Sequence, residues 1–81
     1  MDHSNLKDLV EFMAKALVDY PEEVEVTETQ GEQTTKVELK VSDKDKGKVI
    51  GRNGRTANSM RTILTAASTK LNRRSVLLID D

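Results

Sequence analysis

The residue types and spacing best suited to chemistry lie in one run, Gly47-Lys48-Val49-Ile50-Gly51-Arg52-Asn53-Gly54-Arg55-Thr56, and the chemistry they suit is anion binding. Two glycines separated by two polar residues permit a sharp turn that side chains would disfavour, and they leave the main chain bare. A phosphate can then approach the amides at the start of a following helix, where unpaired N–H groups and the helix dipole both favour negative charge. Lys48, Arg52 and Arg55 stand around that point, and no acidic residue occurs between Lys46 and Ile79. The ordinary use of such glycines is simply to turn the chain between helices. The apolar Val49-Ile50 lead-in, the polar non-acidic pair and the basic flanks together favour phosphate contact.

The same inventory gives catalysis little to work with. There is no cysteine, so no disulfide, thiolate metal site or catalytic thiol exists. The single histidine, His3, is remote from the glycine pair in sequence. The stretch from Gly47 to Gly54 does not spell a Walker loop, because lysine and serine or threonine do not follow the glycine that would need them. Glu23, Glu25 and Glu28 fall where a strand would carry them on a solvated face. The reading is a non-enzyme without cofactor, metal or small-molecule substrate.

The elements that would position the glycine pair follow from periodicity. Leu6, Leu9, Val10, Met13, Ala16 and Leu17 fall on one helix face, with Ser4 as N-cap and Tyr20-Pro21 as stop. The period then changes to two. Val24 and Val26 alternate with glutamates, and after a turn at Gln30-Gly31-Glu32 the residues Thr35, Val37, Leu39 and Val41 alternate with charged ones, which predicts an antiparallel hairpin. Ser42 and Asp45 resemble a capping box that opens a short helix ending at Val49-Ile50. Beyond Gly54, the stripe Ala57, Met60, Ile63, Leu64, Ala67 and Leu71 predicts a four-turn helix ending at Asn72. Val76 to Ile79 lack polar alternation, as expected of a strand covered on both faces or lying centrally. The order helix, strand, strand, helix, helix, strand makes the last two strands parallel through a crossover. The expected fold is a two-layer α+β sandwich: a mixed three-stranded sheet with all three helices on one face, forming a single domain over residues 1–81.

Charge is distributed to the same effect. The net charge of -1 hides four basic against eleven acidic residues up to Asp43, then nine basic against one acidic from Lys44 to Ile79. Such a layout draws polyanions to one region of an otherwise acidic molecule. No run of about 20 apolar residues exists to span a bilayer, so a soluble, cytoplasmic protein is expected. The two aromatics, Phe12 and Tyr20, both lie in the acidic half, where packing or a helix-end contact is their simplest role. Stacking platforms worth about 1–3 kcal/mol per base are therefore missing from the basic half. Grip on a nucleic acid should be weak, salt-dependent and of low sequence selectivity, and a paired arrangement would strengthen it.

Val-Ile-Gly-Arg-Asn-Gly-Arg-Thr resembles the signature of KH domains, whose GXXG loop clamps the backbone of about four nucleotides. The element order is similar to the type II, prokaryotic arrangement. More narrowly, the leading amphipathic helix, the stretch from Gly47 to Leu64 and the Arg73 to Asp80 ending resemble the KhpA family of small bacterial RNA-binding proteins, over roughly Asn5 to Asp80. The resemblance implies that single-stranded RNA is the ligand, with Gly51, Arg52, Asn53 and Gly54 on the backbone. It places Ile50 as an apolar floor under the bases, and Lys48 and Arg55 beside the path. Arg61 borders the apolar stripe, either along the groove or with its stem over the core and its guanidinium in water. Arg73 and Arg74 fall at the short variable loop, or else supply a cationic end to the preceding helix. The family further implies a homodimer or a heterodimer with the KH-containing KhpB, and a role as RNA chaperone or post-transcriptional regulator affecting growth, division and cell shape. An adaptor or dimerisation module is the rival, and single-stranded DNA remains open beside RNA.

Overall fold

The computed structural model describes residues 6–80, so His3, Ser4 with its capping role, and Asp81 lie outside the described residues. The elements run α1 (Leu6–Leu17), β1 (Glu25–Gln30), β2 (Thr34–Lys40), α2 (Lys46–Ile50), α3 (Arg55–Lys70) and β3 (Arg74–Ile79), with 3-10 turns at Pro21–Glu23 and Arg52–Gly54. This is the αββααβ order expected of a type II KH domain. The sheet is mixed and ordered β1-β2-β3: β1 pairs antiparallel with β2, and β3 pairs parallel with it. Strict alternation in β2 turns Thr35, Val37 and Leu39 toward the helices, where all three are buried, and turns its charged residues to water. Leu6, Val10, Ala14, Val41, Val49, Met60, Leu64 and Leu77 complete the core cluster.

Several side chains depart from the expected pattern. The buried line of α1 is Leu6, Val10 and Ala14, a four-residue spacing, whereas Ala16 and Leu17 are exposed. Phe12 is 72% exposed rather than packed, and Tyr20 is half-buried with the Lys44 ammonium 5.4 Å above its ring. On α3, Ile63 is 48% exposed, while Ser68 occupies a buried position, donating to the Thr65 carbonyl and bonding the Ser75 hydroxyl at 3.0 Å. The largest correction concerns β3. It is an edge strand covered on one face only, because β2 takes the centre and all helices lie on one side. Leu77 faces the core, but Val76 (45%) and Leu78 (40%) face solvent. A short unbroken apolar run does not distinguish a central strand from an edge strand with two outward-facing apolar side chains.

The start of α2 also differs. The helix begins at Lys46, and Ser42 Oγ accepts only the Lys44 amide, at 3.3 Å. The Asp45 carboxylate turns away from its own helix and accepts the amides of Asp19 (3.1 Å) and Tyr20 (3.0 Å), just beyond α1. It is completely buried, with the Lys48 ammonium 3.6 Å away. A buried carboxylate is tolerated only when donors surround it, and these donors come from a segment some 25 residues earlier in sequence. Asp45 thereby fastens the head of α2 to the tail of α1. Asp45→Ala should leave two amides without an acceptor and cost about 2–4 kcal/mol, and Asp45→Asn should cost less; urea denaturation of the two variants checks the ranking.

Candidate nucleic-acid interface

α2 closes with the Gly51 amide donating to the Gly47 carbonyl at 2.8 Å, and the chain then turns sharply. Gly51 adopts φ 75, ψ 171, a combination confined essentially to glycine, and Asn53 (φ 58) and Gly54 (φ 74) are left-handed. Three of four consecutive residues with positive φ make one tight 3-10 turn, closed by the Gly54 amide on the Gly51 carbonyl at 3.1 Å. Asparagine tolerates the left-handed region better than other side chains, which suits Asn53 to the tip. α3 then starts at Arg55 with Gly54 as N-cap, and no side chain caps its first turn.

Within the loop, the amides of Gly51, Gly54 and Arg55 are spent internally. Those of Arg52 and Asn53 make no such bond among the described residues, so unspent donors occur at the loop tip as well as at the head of α3. The glycine spacing by itself points to the helix entrance, and the family resemblance adds the loop residues 51–54. Arg52, Asn53 and Arg55 are exposed, Gly51 and Gly54 half-buried. Ile50 is half-buried against the core, and Val49 beneath it is fully buried, which seats the loop on the sheet layer.

The remaining cations are placed unequally. Lys48 is ion-paired to Asp19 at 2.9 Å, and that hydrogen bond holds its ammonium pKa above the ordinary lysine value. The charge that reaches outward from Lys48 is accordingly shared with a carboxylate. Arg73 is turned inward: Nε donates to Thr35 Oγ1 at 2.8 Å and Nη2 to the Gly31 carbonyl at 3.2 Å, so it staples the α3–β3 turn to the hairpin. Neither earlier role for Arg73 included this contact. Arg74 is exposed beside a cleft of about 410 Å³ formed with Gln33, Thr69, Asn72 and Arg73.

Arg61 settles between its two alternatives. It is exposed, but its guanidinium leans onto the sheet edge, with Nε 3.4 Å from the Leu77 carbonyl and Nη1 3.2 Å from Asn58 Oδ1. It lines a cleft of about 200 Å³ between α3 and β3, together with Leu64, Thr65, Ser75, Val76 and Leu77. The amides of Arg74 and Asp80 donate to the carbonyls of Gln33, just before β2, and of Leu39 within it, at 3.0 and 2.8 Å. Alternation along the strand therefore turns the main-chain groups of Ser75, Leu77 and Ile79 away from β2 and toward the open edge. Arg52, Arg55 and Arg61 are thus all exposed on the loop and α3, and the small cleft beside Arg61 adjoins main-chain groups on the open edge of β3. Among the described residues there is no cluster of side chains suited to a metal ion, and no helix long and apolar enough to cross a membrane.

Comparison with known proteins gives a consistent result. The family model described as KhpA/KhpB, KH domain, matches residues 7–79. An RNA-binding protein KhpA of Aquifex aeolicus is 53% identical over 94% of this chain and 96% of its own length. Its namesake in Clostridium acetobutylicum is 51% identical over 91% and 99%, and that of Borreliella burgdorferi 46% identical over 99% and 98%. No solved structure matches.

The two loop glycines should respond differently to substitution. A Cβ on Gly51 would press on the side chain of Thr56 and on its amide nitrogen, 2.8 Å away, in a backbone conformation closed to other residues. A Cβ on Gly54 would meet only Asn58 Nδ2, at 4.0 Å. Gly54→Ala is expected to cost about 1 kcal/mol and Gly51→Ala about 3 kcal/mol, with backbone rearrangement of the loop only in the second; thermal melts and amide spectra check this.

Proposed function

The chain belongs to the KhpA/KhpB KH-domain family, and from that membership we propose that it binds single-stranded RNA through the loop Gly51-Arg52-Asn53-Gly54 and performs no enzymatic step. The observation that carries the reading is the loop backbone itself. Positive φ at Gly51, Asn53 and Gly54 makes a tight turn in which the amides of exposed Arg52 and Asn53 are not spent on the loop itself, beside a helix start that no side chain caps and the exposed residues Arg52 and Arg55. Clustered amides of this kind accept a phosphate without any side chain having to reorganise.

In this role Arg52 and Arg55 supply the long-range attraction, Asn53 and the two glycines the close approach, and Ile50 the apolar support below. Lys48 contributes less, because Asp19 shares its charge. Arg61 lies along the groove. Contacts directed mainly at the backbone give weak, salt-sensitive binding, which suits an RNA chaperone or post-transcriptional regulator working as a homodimer or beside a second KH protein such as KhpB, in the cytoplasm. The adaptor reading also has an observation in its favour: Phe12 and Ile63 leave apolar surface in solvent on two different helices. Both activities fit on one molecule, since neither residue belongs to the loop.

Replacing Arg52 and Asn53 together by aspartate should abolish crosslinking to single-stranded RNA while the fold and any self-association persist; undiminished crosslinking would favour the adaptor. In salt titrations, Arg52→Gln and Arg55→Gln should each flatten the log-log dependence of affinity on salt by about 0.7, as one lost phosphate contact does for single strands, and Lys48→Gln should flatten it less.

A further inference from the structure

The cations around the glycine loop divide into two groups at Gly51. Before it, each lysine is held. The Lys44 ammonium lies 5.4 Å above the Tyr20 ring, Lys46 pairs with Asp43 at 3.0 Å, and Lys48 pairs with Asp19 at 2.9 Å. After it, Arg52, Arg55 and Arg61 are exposed, and none of them pairs with a carboxylate among the described residues. Lys48 is the held cation nearest the loop. It precedes Gly51 by three residues, so it lies on the same face, about 4.5 Å back along the helix axis. A flexible four-carbon stem spans that distance, yet the ammonium sits on the opposite side, drawn back to the end of α1.

Exposed ion pairs are usually weak, because two mobile side chains must be ordered to make them. In this pair one partner is already fixed. The Asp19 amide donates to Asp45 Oδ1 at 3.1 Å and the Tyr20 amide to Oδ2 at 3.0 Å, so one buried carboxylate pins the main chain of both residues that restrain a lysine. Lys48 is itself seated on α2, one turn beyond that same carboxylate. The Asp45 oxygen nearest its ammonium is 3.6 Å away, too far for a hydrogen bond, and both Asp45 oxygens already accept amides. The side chain that holds the Lys48 ammonium back is therefore that of Asp19.

Resting on the RNA-binding reading above, we infer that Asp19 is a positioning residue that acts through Lys48: it keeps the ammonium at the end of α1 and so withholds one cation from the phosphate chain at the loop. A ligand then meets free arginines on the α3 side of the glycines and a neutralised pair on the α2 side. To reach Lys48, a phosphate must displace a carboxylate whose main chain is anchored. The grip at the loop is accordingly one phosphate contact weaker than its basic residues allow, and a strand gains most by running from the loop along α3.

The test is a double-mutant cycle on the full chain, with Asp19→Asn, Lys48→Gln and the two combined. The ligand is a uridine dodecamer, read by fluorescence anisotropy over a series of potassium chloride concentrations. Asp45 holds Asp19 by its amide, so Asn retains the anchor, and Asp19→Ser serves as a second variant should Asn perturb the fold in thermal melts. Either should tighten binding about threefold at low salt, on the scale of one exposed ion pair. Either should also steepen the log-log salt dependence by about 0.7, as one added phosphate contact does for a single strand. In the Lys48→Gln background the same substitution should leave that slope unchanged. Asp19→Glu, which keeps the carboxylate, should bind as the wild type does. Equal tightening in both backgrounds would overturn the inference, because it would show a carboxylate repelling RNA through space without restraining Lys48. Unchanged affinity of Asp19→Asn and Asp19→Ser would overturn it too, and leave the pair as a surface tie between α1 and α2. Either result spares the loop reading as long as the Arg52 and Asn53 double aspartate variant loses the dodecamer. If no variant binds and the amide signals of residues 51–56 stay unmoved in the wild type, the loop reading falls with the inference.

Discussion

A carboxylate removed from water must be surrounded by donors, and the way Asp45 meets that demand sets the position of everything downstream. Its two oxygens hold main-chain amides at the end of α1, and the same residue is the N-cap of α2. α2 has only five residues and one fully buried side chain, Val49, too little to fix its direction by apolar packing alone. The glycine loop leaves the far end of this short helix, so its orientation is inherited from a carboxylate two turns away. Lys48 and Asp19 extend the tie to the surface. The two halves of the chain are therefore tied in both directions, by the Asp45 carboxylate on first-half amides and by the Asp19 carboxylate on Lys48.

The loop and its surroundings divide the work by chemistry. Positive φ values at three positions make a turn that leaves main-chain donors unspent, and the exposed arginines add charge without competing for those donors. Other cations that a count of basic residues would assign to the ligand are structural. Arg73 is consumed by Thr35 and Gly31, where it satisfies a buried hydroxyl on the central strand. Net charge and charge asymmetry thus overstate the field available to a polyanion, and hydrogen-bond partners correct the figure residue by residue.

Much of this was legible beforehand. Alternation at Thr35, Val37 and Leu39 marked the strand and its buried face, and the glycine pair between two apolar periodic stretches marked the loop. What escaped has physical reasons. Asp45 follows Ser42 by three residues, as in a local cap, and nothing in the chain signals that its carboxylate serves amides far back in sequence. The run Val76 to Ile79 carries no polar residue to report that one face is open. Ile63 satisfies the helical period yet lies at its border, where a small rotation of α3 decides between core and solvent. The cleft beside Arg61 needed the pairing of β3 to β2, a tertiary fact with no periodic signature.

The parallel pairing of β3 to β2 has a kinetic consequence. Thr34 pairs with Arg74 across forty residues, and both helices and the loop lie between them. Contacts of such long separation repay their loop-closure entropy only when the intervening segment is already compact, which raises the contact order and slows folding relative to a helical bundle of equal length. A nascent chain that has made its glycine turn but not docked its last strand therefore holds only half of a groove.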